Sequence, residues 1–131
     1  MNRDLRTPLA RTKGLGSAHE GVHHWWHQRV TAIGLIALGL WFFWVIIQIH
    51  NQPYAEILNW AARPWNATGF ALLTGVGFYH SYLGLQVIIE DYVHNNSLKR
   101  LTLLQSSFYH ITVAVLCLFF IIRIVVLGTY V

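Results

Sequence analysis

Three long stretches of this chain carry no charge, or almost none. Residues 30–49 are uncharged throughout. Residues 67–89 are broken only by His80 and by small polar or aromatic side chains, and residues 108–127 carry Arg123 near their far end. About 20 residues at 1.5 Å each cross a hydrocarbon layer of about 30 Å. Each stretch therefore predicts a transmembrane helix, the form in which a single segment satisfies its own backbone in lipid. The pattern predicts an all-α membrane protein with three transmembrane helices, at about 27–50, 66–93 and 107–128. They follow an N-terminal segment, 1–22, and the whole of 1–131 is expected to be one membrane domain.

The polar intervals predict the connections. "HNQPYAEILNWAARPWN" brings Tyr54, Trp60 and Trp65 into the first, and such rings suit headgroup depth. Asn66 is expected to cap the second helix, just after the helix-excluding pair Arg63-Pro64. Residues 94–107 read as the second connection. Residues 1–20, rich in charge, Gly and Thr, are expected to be extended or loosely ordered unless a partner holds them. No internal repeat or low-complexity tract is visible. The first apolar stretch begins late and is too long for a cleavable secretory signal.

Composition agrees with the pattern. Apolar residues make up 55% of the chain and charged ones 11%, against the usual quarter charged of a soluble domain. The net charge of +4 is not a nucleic-acid footprint, because the basic residues do not line one surface. Their distribution predicts orientation instead. Arg3, Arg6, Arg11, Lys13 and Arg29 precede the first uncharged stretch, Lys99 and Arg100 lie in the second connection, and only Arg63 lies in the first. The N-terminus is thus expected on the cytoplasmic or matrix side, and the C-terminus on the periplasmic or intermembrane-space side. Arg123 is close enough to the outer end to snorkel to the headgroups. The single cysteine, Cys117, excludes an intramolecular disulfide and any CxxC motif, and its apolar setting reads as a small hydrophobe.

The candidate chemistry lies on the second helix, in "HSYLGLQVIIEDYVH". Eleven steps of 100° put Asp91 about 20° from His80, with Gly84 and Val87 within about 40° and Gly77 within about 60°. A neutral mid-membrane imidazole beside glycines suits axial ligation of haem iron, since glycines admit a flat group close to the backbone. The same features would also serve a plain hydrogen bond to a neighbouring helix and close helix packing. Asp91 and Tyr92 fall at the headgroups. Either they are an ordinary wet helix end, or they form a site where a quinone meets a phenolic donor and a proton source in contact with water. Ahead of the first helix, "GVHHWWHQRV" places His23, His24, His27 and Arg29 together. His23 and His27 have the i,i+4 spacing of half a metal site, with no acid or cysteine to complete it. Arg29 suits lipid phosphate, or the propionates of a haem held between the first two helices.

These residues resemble a known family. "HSYLGLQVIIEDYVH", in the pattern H-x3-G-x6-D-Y, resembles the second-helix signature of the small hydrophobic membrane anchor of succinate dehydrogenase (complex II), the cytochrome b556 small-subunit type. "GVH…R-x-T-A-I" in 21–33 resembles the start of that family's first helix, and the likeness covers most of the chain. The resemblance implies that His80 is one axial ligand of haem b, the other coming from the companion anchor, the cytochrome b large subunit. It implies that Arg29 and His23 contact the haem propionates, and that Tyr92 and Asp91 serve the ubiquinone site. It also implies partnership with a flavoprotein and an iron–sulfur subunit, in a bacterial or mitochondrial inner membrane. The chain itself has no dinucleotide fingerprint and no cysteine set for clusters. It would therefore be a subunit inactive alone, passing electrons from succinate to ubiquinone only within the assembly. The competing readings are a quinol:fumarate reductase anchor, a cytochrome b subunit of another dehydrogenase, and a small transporter or structural membrane protein with no redox role.

Overall fold

The computed structural model describes residues 6–14 and 19–128. Among these there are five helices and no strand: α1 (Pro8–Thr12), α2 (His19–Ile49), α3 (Tyr54–Ala61), α4 (Pro64–Tyr92) and α5 (Asn96–Gly128). Helices α2, α4 and α5 are each long and apolar enough to cross a membrane. Arg3 and Asp4, which belong to the N-terminal charge pattern, lie outside the described residues, as does the chain beyond Gly128.

Local chemistry explains where the helices depart from the sequence expectation. Residues 8–12 are helical, not extended, because Thr7 Oγ1 accepts from the Ala10 N–H (3.2 Å) and Pro8 sits in the first turn. Gly14, at φ 64°, follows directly. Helix α2 starts at His19 and not near 27, since no residue between the two breaks a helix and helices need not stop at the lipid boundary. Asn66 does not cap α4. Pro64 takes the first helical position behind an extended Arg63 (φ −60°, ψ 135°), where its missing N–H costs nothing. The Asn66 side chain instead donates to the Trp60 carbonyl at 2.7 Å, tying the end of α3 to the start of α4. Within the first connection Tyr54–Ala61 is itself a helix. The second connection shrinks to residues 93–95, because Asn95 Oδ1 caps α5 by accepting from the N–H groups of Ser97 (3.0 Å) and Leu98 (3.1 Å).

The tight link makes α4 and α5 an antiparallel pair, and α4 also packs against α2. Helix α4 is thus the middle of a three-helix row, with α3 lying against α4 and α5 at one end. Lipid supplies no hydrophobic force between helices, so close approach and hydrogen bonds must hold the row together. A Cβ added at Gly69 would lie 2.5 Å from the Trp41 ring, so only glycine admits that indole. The same indole meets Phe70 edge-on at 5.4 Å, and Phe42 and Trp60 also meet Phe70. Gly77 faces Leu35 of α2 and Gly34 faces Val76 of α4. Only Val45, Ala67, Leu83, Ile89, Ser106 and His110 are buried among the described residues. The rest of the apolar surface is left for lipid or other chains.

Antiparallel packing also sorts the charge. The start of α2, the end of α4 and the start of α5 share one end of the row, which therefore collects Arg29, Asp91, Lys99 and Arg100. Lys99 Nζ donates to the Glu90 carbonyl at 2.7 Å across that turn. Tyr54 and Trp65, at the other end, are exposed as interfacial rings should be, whereas Trp60 is half-buried against Phe70.

Candidate functional site

His80 projects from α4 toward α2 and meets Thr31. Thr31 Oγ1 lies 2.7 Å from the His27 carbonyl and 2.8 Å from His80 Nδ1. Two oxygens 2.7 Å apart need a proton between them, so the hydroxyl donates to the carbonyl one turn earlier. Its oxygen then accepts from His80 Nδ1–H. This assigns the tautomer: Nδ1 carries the proton and Nε2 presents a lone pair. The nearest polar group to Nε2 is the Gln28 amide nitrogen, at a long 3.5 Å. Next to His80, the Tyr79 hydroxyl pairs with His27 Nδ1 at 2.6 Å, so adjacent residues of α4 clasp one segment of α2.

Nε2 looks into a cleft of about 720 Å³ between α2 and α4, lined by His24, Gln28, Arg29, His80, Gly84 and Glu90 among others. Gly84 keeps one wall low. Two buried polar atoms of this region, His24 Nε2 and Gln28 Oε1, have no hydrogen-bond partner among the described residues. Such atoms are rare and call for a ligand, water or ion. Arg29 is exposed on the rim, its guanidinium 5.5 Å from the Trp25 ring centroid. A bare imidazole nitrogen, an open apolar wall, unpartnered polar atoms and a nearby guanidinium fit a flat, iron-bearing group with anionic substituents.

The structure thus brings His80, Arg29 and Gly84 to one cleft. His23 is exposed and is not among the residues lining it, whereas His24, for which the sequence suggested no role, is. Asp91 and Tyr92 end α4 beyond Glu90, where the cleft lining stops. Tyr92 is 77% exposed, with no side-chain partner among the described residues. Among the described residues no three His, Cys, Asp or Glu side chains gather as a metal cluster.

Sequence reasoning did not single out Thr31, Gln28 or the environment of His110. His110 is buried between α5 and α4, its Nδ1–H donating to the Ser106 carbonyl (2.7 Å) and its Nε2 accepting from the Ser81 hydroxyl (3.2 Å). Phe78, Tyr82 and Tyr109 surround it edge-on. Thr31 left two signals, a hydroxyl at the start of an apolar stretch and its place in the R-x-T-A-I run.

A family model described as "Succinate dehydrogenase/Fumarate reductase transmembrane subunit" matches residues 3–123. The chain belongs to this family. It is 33% identical over 111 residues to the succinate dehydrogenase hydrophobic membrane anchor subunit of Rickettsia bellii, covering 85% of this chain and 89% of that one. It is 34% identical over 93 residues to the protein of the same name from Paracoccus denitrificans, covering 71% and 72%. The succinate dehydrogenase membrane anchor subunit of Reclinomonas americana is 37% identical over 82 residues, covering 60% and 68%. No solved structure matches the chain at a significant level. Family membership and three apolar helices together make this a multi-pass inner-membrane protein and the anchor part of an oxidoreductase assembly.

Proposed function

We propose that this protein anchors succinate:ubiquinone oxidoreductase and contributes one side of its haem b site and part of its ubiquinone site. The observation that carries the reading is His80 Nε2, left with only a long 3.5 Å contact to Gln28 while Nδ1 is bonded to Thr31, at the cleft between α2 and α4. Its partners are a flavoprotein subunit that oxidises succinate, an iron–sulfur subunit and a larger cytochrome b anchor. The charge collected at the Arg29–Lys99 end supports placing that end, with the N-terminus, on the cytoplasmic or matrix side. When bound, haem b supplies a one-electron redox centre within the membrane.

The residues of this chain have distinct tasks in that scheme. His80 Nε2 would hold the haem iron from this chain's side. His110 cannot offer the second ligand, because both its nitrogens are already bonded on the other face of α4. The family resemblance implies that the second ligand comes from the larger anchor. Arg29 would hold the haem propionates; His23 is the family-implied partner there, and His24, whose buried nitrogen at the cleft has no partner among the described residues, is the better placed. At the end of α4 the Tyr92 hydroxyl donates to a ubiquinone carbonyl oxygen, and Asp91, in contact with water, delivers protons. Reduction to the quinol consumes two electrons from succinate and two protons from the aqueous side. Fumarate reduction is the same chemistry reversed, and the names of the relatives favour the succinate direction.

The test separates quinone chemistry from assembly. Tyr92→Phe in the purified complex should lower succinate-to-ubiquinone turnover about tenfold, the effect of roughly one hydrogen bond in the transition state. Succinate-to-dye reduction, which bypasses the membrane site, should not change. Unchanged ubiquinone turnover in a complex with full dye activity would remove Tyr92 from the quinone site.

A further inference from the structure

The environment of His80 contains a group that the proposed function leaves without a task. Thr31 lies on α2, one turn beyond His27 and at the start of the uncharged stretch 30–49. Its hydroxyl links two groups: the His27 carbonyl accepts its proton at 2.7 Å, and its oxygen meets His80 Nδ1 at 2.8 Å. The Gln28 carbonyl, at 3.2 Å, lies on the same side of the hydroxyl and reinforces its direction. A valine of the same shape would pack identically and accept nothing.

Without this acceptor two arrangements of the imidazole become open. The ring can turn over about its Cβ–Cγ bond, or the proton can move to Nε2, which then has no lone pair for a metal. Gln28 does not prevent either, since its contact with Nε2 is long and on the cleft side. Tyr79 does not either, because it bonds His27 instead of His80. The His27–Tyr79 pair does fix the α2 segment whose carbonyl orients the Thr31 hydroxyl. Helix α2 therefore determines what a ligand on α4 presents.

We infer that Thr31 is a positioning residue for the haem site: by accepting from His80 Nδ1–H it fixes the tautomer and plane of the imidazole and makes Nε2 a more electron-rich iron ligand. This rests on the reading of His80 as an axial ligand. Hydrogen bonding at the far nitrogen raises ligand basicity, which favours the ferric over the ferrous state.

The experiment uses the intact membrane complex carrying Thr31→Val, Thr31→Ser or His80→Ala, with potentiometric titration and low-temperature EPR of the haem. Thr31→Val should lower the ferric-to-ferrous ratio at a fixed potential three- to tenfold, which at 59 mV per tenfold is an upward shift of about 30–60 mV. Thr31→Ser should restore the wild-type potential, and a role in packing alone would leave the potential unmoved. Should the valine complex not assemble, Thr31→Ala provides the same comparison. A wild-type potential and EPR spectrum in Thr31→Val, with haem lost in His80→Ala, would overturn the positioning role and leave the ligand reading intact. A shift that serine does not reverse would overturn it too. Haem unaffected by His80→Ala would overturn both.

Discussion

His80 and His110 leave neighbouring helices to meet a partner helix, yet only one is available for chemistry. His110 is 6% exposed, ringed by aromatics, and bonded at both nitrogens within the α4–α5 pair. His80 is half-buried, bonded firmly at Nδ1 only, and opens at Nε2 onto a large cleft. Both lie in apolar stretches, and the His110–Ser81 bond puts His110 level with the residue next to His80 on α4. The difference lies in the groups opposite. A backbone carbonyl plus a serine hydroxyl satisfies an imidazole completely and makes it a packing element. A threonine whose own proton is committed satisfies one side and leaves the other as a donor of electrons.

Changes that fill or empty the two environments should break this contrast in order of size. Gly84→Phe puts a ring into the cleft one turn from His80. It should remove most haem from the purified complex, while Gly84→Ala, whose Cβ would sit at an ordinary 3.6 Å from Gln28, should keep it. Haem content per complex, from the pyridine haemochrome spectrum, decides the point. His110→Ala leaves a cavity and an unpartnered Ser81 hydroxyl. It should cost about 1–3 kcal/mol in detergent unfolding without altering the haem spectrum. The smallest effect belongs to the rim. Arg29→Gln removes an exposed cation near the anionic edge of the haem. It should favour the ferric form about threefold in a redox titration, less at high salt, because a screened charge acts weakly at that range.

Much of the fold was legible in the sequence, and for a simple reason. Crossing lipid demands length and apolarity, and both can be counted along 30–49, 67–89 and 108–127. Where the helices end was less legible. Pro64 reads as a break but serves as a first helical residue, and Asn95 caps α5 where the charges of 94–107 suggested a longer loop. The one-face placement of His80 and Gly84 follows from 100° geometry, and both line the cleft. What faces them does not follow. Nothing in the spacing of α2 says that Thr31 meets His80, or that His24 and not His23 turns toward the cleft, because those depend on how two helices rotate about their axes. Only the side-chain contacts of the packed pair settle that rotation.

The most direct test of His80 as the haem ligand compares two purified complexes, His80→Ala and His110→Ala, loaded to equal succinate-to-dye activity. Their dithionite-reduced minus oxidised spectra are then recorded side by side. The b-type haem band should be lost or strongly perturbed in the first and retained in the second. An unchanged band in His80→Ala, or equal loss in both, would contradict the assignment.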